Sequence, residues 1–369
     1  MTNHQRYIGI LSGTSIDAID LALISMQGEQ IKLLQCYSHS FPLPLQQRLQ
    51  SLCTPQPNEL VAFGLADREF ALVASEAVQQ LLTLCNLTAS DITAIGSHGQ
   101  TVRHHPELSP AFSLQLGCAA TLAANTGIAV VSHFRQKDIA LGGQGAPLAP
   151  ALHRALFHSP NVNRAVINLG GIANISWLPQ HGEVIGFDCG PANTLLDAWY
   201  QQHHAGRYDK DGTWASLGTV NVSLLQSCLA DPYFQQAPPK STGREYFTLN
   251  WLQQHLSKQS LLEPINVQAT LVELTAHSVI QALKQFAPAQ QVYLCGGGVH
   301  NKQLLVRLQS LATAIDWQST DALGVDPDWV EAILFAWLAH CHVAGLVGNL
   351  TAVTGAKRAA VLGCYTPAL

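Results

Sequence analysis

The sequence predicts an α/β fold built from two related halves. Apolar strands alternate with helical stretches along all 369 residues, which favours mainly buried sheets flanked by helices. The segments YIGILSGTSIDAIDLALI (7–24) and RAVINLGGIANISWL (164–178) each read as a strand, a small-residue turn and a second strand. A third Gly cluster lies in YLCGGGVHN (293–301). Because such turns let backbone N–H groups approach an anion, the three together indicate two halves that close over a polyphosphate.

Composition narrows the class of protein. The length favours two domains, and 47% hydrophobic residues are enough for sizeable cores. Only 12% of residues are charged, the net charge is −5 and no basic block occurs. A large nucleic-acid interface is therefore not expected. A polyphosphate remains compatible with this balance, since it needs only a few donors and a metal.

The cysteines and the apolar segments bear on the compartment. Nine cysteines are scattered without a CxxC pair, which favours reduced thiols. The start, MTNHQRYIGIL, lacks the pattern of a signal peptide. The apolar stretch 330–348 includes Glu331, and we expect a buried helix there rather than a membrane span. A cytoplasmic protein without membrane partners is expected.

The predicted elements follow from periodicity, in chain order. After the first hairpin come helix-like stretches (58–86), a strand into a loop (92–106), a small-residue helix and a strand at 129–134. Residues 140–157 pass from a Gly-rich turn into a helix. The second half continues from its hairpin to a strand that turns at Gly190-Pro191 into a helix. It then runs through loops and short helices (203–250), a helix (267–286), a strand (291–298) and a helix after Asn301. A strand, an apolar helix and a last strand, AAVLGCY, follow.

The first candidate site is the turn of the N-terminal hairpin. Gly13, Thr14 and Ser15 offer backbone and hydroxyl donors to a phosphate, and Asp17 or Asp20 is the candidate metal contact. An ordinary hairpin, with Asp favoured by the turn, explains the same residues. No Walker loop occurs in the chain.

Two further polar segments follow strand ends or Gly-rich turns. In SHGQTVRHHP, His98, Gln100 and Thr101 come after a strand, where α/β proteins place ligand loops. In FRQKDIALGGQGAP, Arg135 suits a bidentate grip on a carboxylate or phosphate, and Asp138 lies beside the same turn. The alternative for the first segment is a loop whose polar side chains make only local hydrogen bonds. The alternative for the second is a surface ion pair.

Asp188 is the candidate general base. In GFDCGPAN it follows an apolar strand and precedes a turn into a helix. Burial raises the pKa of a carboxyl placed there and makes it a better base. A helix-capping or turn Asp is the alternative. Glu331, at the start of an apolar helix, suits either a substrate ligand or a partner of the helix dipole.

The chain resembles the anhydro-N-acetylmuramic acid kinase family. The matching strings are SGTSIDAID, SHGQTVRH, FRQKDIALGGQGAP, INLGGIANIS, GFDCGPAN, CGGGVHN and LGVDPDWVEAILFAWLA, in order and nearly end to end. The resemblance implies an actin-like, two-domain fold with duplicated mixed β-sheets flanked by helices. The domains would be 1–145, with 350–369 as a candidate addition, and 146–349, with the nucleotide cleft between them. It also implies a cytoplasmic homodimer.

The resemblance implies an enzyme of cell-wall recycling. It would hydrolytically open 1,6-anhydro-N-acetylmuramate and phosphorylate O6 with ATP and Mg²⁺, giving N-acetylmuramate 6-phosphate and ADP. Asp188 would be the catalytic base. The expected sugar or phosphate contacts are His98, Gln100, Thr101, Arg135, Asp138, Asn174 and Glu331. The expected nucleotide contacts are Ser12, Gly13, Thr14, Ser15, Asp17, Asp20, Gly170, Gly171, Gly296, Gly297, Gly298 and Asn301.

Two positions depart from the family pattern. Ala18 and Ala192 stand where the family usually has Gly. An Ala forced to positive φ would cost about 1 kcal/mol of strain. The alternatives to the implied activity are a kinase for another 1,6-anhydro sugar and a nucleotide-gated ATPase or switch module.

Overall fold

The computed structural model describes residues 5–13, 16–238, 240–243 and 245–368. They form two compact units, the first from residues 5–156 and 329–368 and the second from residues 157–328. The sequence placed these boundaries at 145/146 and 349/350. The shift at the second boundary has a physical cause: the apolar helix Val330–Val343 packs on strands of the first unit.

The described residues form two β-sheets, one in each unit. In chain order the strands are β1 (Gln5–Leu11), β2 (Ala18–Gln27), β3 (Gln30–Ser40), β4 (Ala94–His105), β5 (Phe112–Leu116), β6 (Val130–Ser132), β7 (Arg164–Leu169), β8 (Ile172–Leu178), β9 (Ile185–Pro191), β10 (Gln291–Cys295), β11 (Asp316–Ser319) and β12 (Cys364–Thr366).

The two sheets repeat one topology. In the first, β1, β2 and β3 form an antiparallel meander, and β4 and β6 continue in parallel from the other side of β1. In the second, β7, β8 and β9 form the meander, and β10 and β11 continue in parallel from β7. The first sheet also carries β12 beside β6 and β5 beside β4. The predicted actin-like fold with duplicated mixed sheets is confirmed.

Helices flank both sheets. They are α1 (Leu43–Leu52), α2 (Glu59–Cys85), α3 (Ala119–Thr126), α4 (Gln136–Ala140), α5 (Ala149–Phe157), α6 (Asn193–His203), α7 (Thr213–Leu217), α8 (Val222–Leu229), α9 (Pro232–Gln235), α10 (Leu249–Leu256), α11 (Pro264–Leu283), α12 (Lys302–Leu311), α13 (Val330–Val343) and α14 (Thr351–Thr354). Short 3₁₀ turns occur at Ala89–Asp91, Lys210–Gly212, Gly297–His300 and Thr320–Leu323.

The elements that the sequence did not predict are those with weak periodicity. Strand β3 is largely exposed and its eleven residues mix polar and apolar types, because it lies at the edge of the sheet. Strand β5 spans only five residues. The last strand is also shorter than AAVLGCY, because only Cys364–Thr366 pairs with β6.

The apolar helix α13 is buried, as the sequence predicts. It has 14 residues, and most of its apolar side chains are inaccessible to solvent. In the described part of the chain, no helix combines the length and the apolar character needed to cross a membrane.

Two glycines set the distance between α13 and the first sheet. A Cβ atom on Gly9 of β1 would overlap the carbonyl oxygen of Ala332, and one on Gly96 of β4 would overlap that of Phe335. The helix backbone therefore lies directly against the strands at these two points. Neighbouring strand positions such as Ile8 and Ile95 are completely buried and supply apolar contacts.

Adding a methyl group at Gly96 should destabilise the first unit. Overpacking of a core usually costs about 1–3 kcal/mol, and here the obstruction is helix backbone, which cannot rotate away. We expect Gly96→Ala to lower the free energy of unfolding by at least about 2 kcal/mol in urea titrations.

The matched control is Gly64→Ala on α2. Nothing lies within 4 Å of a Cβ atom at Gly64, so this substitution should raise stability by about 0.5–1 kcal/mol through helix propensity. Equal effects of the two substitutions would contradict the proposed packing constraint.

Candidate functional site

The first unit brings His98 and Arg135 together. A β-bulge sets Ile10 opposite Ser97 and Leu11 opposite Gly99, so His98 is the extra residue of β4; such bulges re-aim a side chain. Arg135 donates from Nε (3.1 Å) and Nη2 (2.9 Å) to His98 Nε2, and His98 Nδ1 donates to the Gly99 carbonyl (3.0 Å). His98 is therefore neutral, with its proton on Nδ1.

The electrostatics agree with this assignment. Burial and the charge of Arg135 hold the pKa of His98 well below its usual range. Burial lowers the pKa of Arg135 to about 10, while the charges of Glu331 and Asp138 raise it. Arg135 also donates from Nη1 to the Gly145 carbonyl (2.8 Å), and Phe335 stacks on His98 with ring centroids 4.4 Å apart. The guanidinium is a fixed positive charge near the exposed Glu331.

Ser12, Gln100 and Thr101 form a second polar group in the same unit. The Ser12 hydroxyl donates to Gln100 Oε1 at 2.6 Å, and both side chains are buried. Gln100 Nε2 donates to the Thr101 carbonyl (3.1 Å), and Gln115 Nε2 donates to the Thr101 hydroxyl (3.2 Å). This network fixes the strand end that leads into the predicted phosphate turn.

The turn predicted to bind phosphate is described in part. Thr14 and Ser15 lie outside the described residues. The carbonyl of Gly13 accepts from the Ile16 amide at 3.2 Å. Asp17 is exposed, and half-buried Asp20 accepts the Ser38 hydroxyl at 2.7 Å. Of the two predicted metal contacts, Asp17 is the more accessible.

Asp138 is an internal anchor. Its side chain is completely buried. Its Oδ2 accepts from the Gly145 amide (2.8 Å), and its Oδ1 accepts from Asn349 Nδ2 (2.6 Å) and the Thr354 hydroxyl (2.7 Å). Because both carboxylate oxygens hold donors of the protein, Asp138 positions the loop that carries Arg135 and has no oxygen directed toward a ligand.

In the second unit, three polar side chains form a row across the sheet. Asn168 of β7 pairs with Asn174 of β8, and Asn174 pairs with Asp188 of β9. Directly paired residues present their side chains on the same face. All three are half-buried, while their strand neighbours, among them Ile167 and Phe187, are buried on the other face.

Asp188 has the environment of a general base. Burial raises the pKa of its carboxyl to about 6, the Thr242 amide hydrogen bond (2.9 Å) lowers it, the charge of Glu245 raises it and that of Lys240 lowers it. The Asp188 backbone is held as well, since its amide donates to the Lys240 carbonyl (3.1 Å) and its carbonyl accepts the Tyr233 hydroxyl (2.7 Å). A carboxyl with this pKa is ionised at neutral pH and can accept a proton.

The glycines of the second unit have different roles. The carbonyls of Gly170 and Gly171 accept from the amides of residues 192–194 at 3.0–3.1 Å, which fixes the β7–β8 turn against the start of α6. Gly296 has φ +79°, and a Cβ atom there would meet Asn168 and Leu169. Gly298 packs against Leu169, whereas Gly297 has open space.

Gly297 and Asn301 line a pocket of about 440 Å³ that lies within the second unit. Asn301 also caps α12, accepting from the Leu304 amide at 3.0 Å. The pocket wall includes Asp197, Asp211 and Gln268, which the sequence did not single out.

Asn168 was also not identified from the sequence. Its polar side chain inside the apolar run RAVINL could have indicated a functional residue. Lys240 and Thr242 gave no signal, because they lie in an irregular polar segment.

The two departures from the family pattern cause no left-handed strain. Ala18 does not have a positive φ, and Ala192 has φ −123°. The expected cost of an Ala at positive φ therefore does not arise at either position. No group of three or more His, Cys, Asp or Glu side chains in the described residues is arranged to hold a metal ion.

The family model and the two relatives compared by sequence point to one family. The family model for anhydro-N-acetylmuramic acid kinase matches residues 5–368. A protein of that name from Shewanella pealeana is 47% identical over 367 residues, covering 99% of this chain and 100% of its own length. Another from Shewanella sp. (strain MR-7) is 48% identical over 362 residues and covers 98% of both. A solved structure, component A of (R)-2-hydroxyglutaryl-CoA dehydratase from Acidaminococcus fermentans, aligns with 13% identity and a TM-score of 0.49, covering 90% of this chain and 96% of that one.

Removing the charge of Asp138 should loosen the Arg135 loop. Asp138→Asn replaces an acceptor oxygen by an NH₂ group that would face protein donors. We expect a loss of about 2–3 kcal/mol in the free energy of unfolding, measured by denaturant titration. Unchanged stability together with weaker sugar binding would instead make Asp138 a ligand contact.

Proposed function

Because the chain belongs to the anhydro-N-acetylmuramic acid kinase family, we propose that it opens 1,6-anhydro-N-acetylmuramate with water and phosphorylates O6 with ATP. The products are N-acetylmuramate 6-phosphate and ADP. The observation that carries this proposal is Asp188, a half-buried residue in a row of polar side chains, whose carboxyl has its pKa raised by desolvation to about 6. Water at neutral pH is a weak nucleophile, and the anhydro ring needs a base of this kind.

The proposed step balances as follows. The water oxygen forms a bond to C1 while a water proton moves to the Asp188 carboxylate. The C1–O6 bond breaks and its electrons remain on O6, which forms a bond to the γ-phosphorus. The bond from the γ-phosphorus to the bridging oxygen breaks, and ADP leaves with that oxygen. Asp188 then returns its proton to solvent.

Asn174 would orient the attacking water. Its side chain lies directly across from Asp188 on β8, and an amide can both accept from and donate to a water molecule. Asn168, the next member of the row, lies beside Gly296. Phosphoryl transfer itself depends mainly on positioning and charge neutralisation.

The remaining predicted residues would bind the two substrates. Arg135 is a fixed guanidinium suited to a carboxylate or phosphate, and Gln100, Thr101, His98 and Glu331 would shape the sugar contacts around it. Asp138 contributes through the position of Arg135. The turn that begins at Ser12 and Gly13, the Gly170-Gly171 turn and the Gly296–Gly298 segment would hold the nucleotide.

Magnesium is part of the proposal. Mg²⁺ commonly binds through one or two carboxylates plus substrate phosphates rather than in a protein cage. Exposed Asp17, just after the phosphate turn, fits that mode, and Asp20 is three residues further along. The ion would neutralise charge on the phosphate oxygens.

Two coarser expectations belong to the same proposal. A cytoplasmic location is supported by the cysteines, since no disulfide joins any of the nine, all of which lie in the described part of the chain. A homodimer is supported by apolar side chains that α2 exposes, including Leu60, Val61 and Leu65.

The test of the activity is ADP release from ATP and Mg²⁺ with and without 1,6-anhydro-N-acetylmuramate. We expect sugar-dependent ADP and, by NMR, an opened ring with phosphate on O6. Release without sugar would indicate an ATPase. Turnover only with other members of a 1,6-anhydro sugar panel would reassign the substrate.

Asp188→Asn should lower turnover strongly without loss of the fold. The amide keeps an oxygen for the Thr242 hydrogen bond but cannot accept the proton. We expect a fall in kcat of at least about 100-fold, in the range of general-base effects, with ADP affinity retained in calorimetry. Near-normal turnover would remove Asp188 from this role.

The pH profile should report the same carboxyl. Because the ionised form is active and burial raises its pKa to about 6, kcat/KM should fall as pH drops through about 6. Glu245→Gln is the matched variant, since the charge of exposed Glu245 raises the pKa of Asp188. It should retain turnover and move the acidic limb to lower pH. If the acidic limb of the pH profile lies at the same pH in Glu245→Gln as in wild type, the titrating group is not Asp188.

A further inference from the structure

The chain segment 240–242 lies beside Asp188 at the edge of the second sheet. Strand β9, which carries Asp188, is at one end of the strand order of that sheet. The Asp188 amide donates to the Lys240 carbonyl at 3.1 Å, and the Thr242 amide donates to Asp188 Oδ2 at 2.9 Å. The segment therefore holds both the backbone of Asp188 and one oxygen of its carboxylate.

The Lys240 side chain attaches this segment to Tyr233. Lys240 Nζ donates to the Tyr233 carbonyl at 3.2 Å and lies 4.6 Å from the centroid of the Tyr233 ring. A cation at this distance from an aromatic ring is attracted to it. The Phe187 ring centroid is 6.0 Å from the same atom. A hydrogen bond and a cation–π contact thus hold the ammonium group in one place.

Tyr233 is itself firmly anchored. Its amide donates to Asp231 Oδ1 at 2.9 Å, and Asp231 Oδ2 accepts from Trp251 Nε1 at 2.9 Å. The Tyr233 hydroxyl donates to the Asp188 carbonyl at 2.7 Å. Lys240, Tyr233 and Asp188 are therefore joined in a closed ring of contacts, in which Tyr233 is the fixed member.

We propose that Lys240 is a positioning residue for Asp188: its ammonium group, held by Tyr233, keeps the segment 240–242 against β9, and the segment keeps the carboxylate in one orientation. The inference rests on the proposed role of Asp188 as the base and adds the residue that fixes its orientation. A base acts efficiently only when its neighbours hold it in the productive geometry. Lys240 acts through Asp188 and is assigned no contact with the substrates.

The charges around Asp188 predict how the loss of Lys240 would be seen. The charge of Lys240 and the Thr242 hydrogen bond both lower the pKa of the Asp188 carboxyl, while the charge of exposed Glu245 raises it. Burial raises the pKa of Tyr233 and of Cys189 well above their usual values, so both are neutral near neutral pH. Removing the Lys240 ammonium group should therefore raise the pKa of Asp188.

The first measurement is a ¹³C NMR titration of the Asp188 carboxyl carbon in the full chain without substrates, assigned by comparison with Asp188→Asn. Lys240→Met keeps the length of the side chain and removes its charge and donors. It should move the Asp188 midpoint up by about one pH unit. Lys240→Arg, which keeps the charge and can stack on the Tyr233 ring, should retain the wild-type midpoint.

The second measurement separates orientation from ionisation. At about pH 8.5 the Asp188 carboxyl is ionised even after such a shift, so any remaining loss of turnover comes from its placement. We expect kcat of Lys240→Met to be at least about 10-fold lower there, with the KM for ATP nearly unchanged. Lys240→Arg should restore most of the turnover. An unmoved midpoint, or a moved midpoint with wild-type kcat, would overturn the inference.

The matched control is Lys284→Met. Lys284 is an exposed lysine at the end of α11 in the same unit, so the control makes the same substitution away from Asp188. It should keep the wild-type midpoint and the wild-type kcat. Equal effects of Lys284→Met and Lys240→Met would contradict a specific role of Lys240.

One test needs no variant. Because the Thr242 amide donates directly to Asp188 Oδ2, its proton resonance in wild type should move with the same midpoint as the Asp188 carboxyl. A Thr242 resonance that does not follow this titration would overturn the inference even if Lys240→Met does not fold.

The two proposals fail in different ways. If the titrations agree with expectation but wild type shows no sugar-dependent turnover, the kinase proposal is contradicted and the placement of Asp188 by Lys240 stands. If wild type turns over and Lys240→Met matches it in kcat and midpoint, only the role of Lys240 is contradicted.

Discussion

The arrangement of the first unit depends on a backbone contact between helix α13 and the sheet. Gly9 and Gly96 leave no room for a side chain, so the carbonyls of Ala332 and Phe335 lie directly against β1 and β4. This places a helix from the end of the chain on strands from its beginning. The same helix carries Phe335, which stacks on His98, and starts near Glu331, whose charge acts on Arg135. The distance set by two glycines therefore decides which side chains can meet.

In the second unit, the register of the paired strands decides which side chains lie next to each other. The side-chain period of two in a strand means that a one-residue slip would turn a whole row to the other face. Asn168, Asn174 and Asp188 share a face because β7, β8 and β9 pair in the observed register. The irregularity between Ala173 and Asn174 is what aligns Asn174 with Asp188. The polar row is thus a consequence of pairing geometry.

The sequence predicted the elements and motifs whose signal is local. Helix α2 and the strand that carries Asp188 have clear apolar periodicity, and the duplicated hairpins indicated two related halves. Contacts between residues that are distant in sequence could not be predicted from local patterns. Nothing local shows that Asp138 is enclosed by Asn349 and Thr354, or that α13 belongs to the first unit. His98 was predicted as a ligand contact, but its neutral state follows only from Arg135, 37 residues away.

Asp138, Asp188 and Gln268 differ in how many of their hydrogen bonds the protein itself supplies. Asp138 holds three protein donors, and an acceptor so occupied can only support its surroundings. Asp188 keeps its carboxyl desolvated, with Thr242 as the hydrogen-bond donor to one oxygen, and its pKa rises accordingly. Gln268 is the extreme case, with no partner for either end of its amide among the described residues. Since an unsatisfied buried group costs stability, the Gln268 amide lowers the free energy of unfolding relative to an amide with partners. Hydrogen-bond accounting thus separates the enclosed carboxylate of Asp138 from that of Asp188, the proposed base, which residue type alone cannot do.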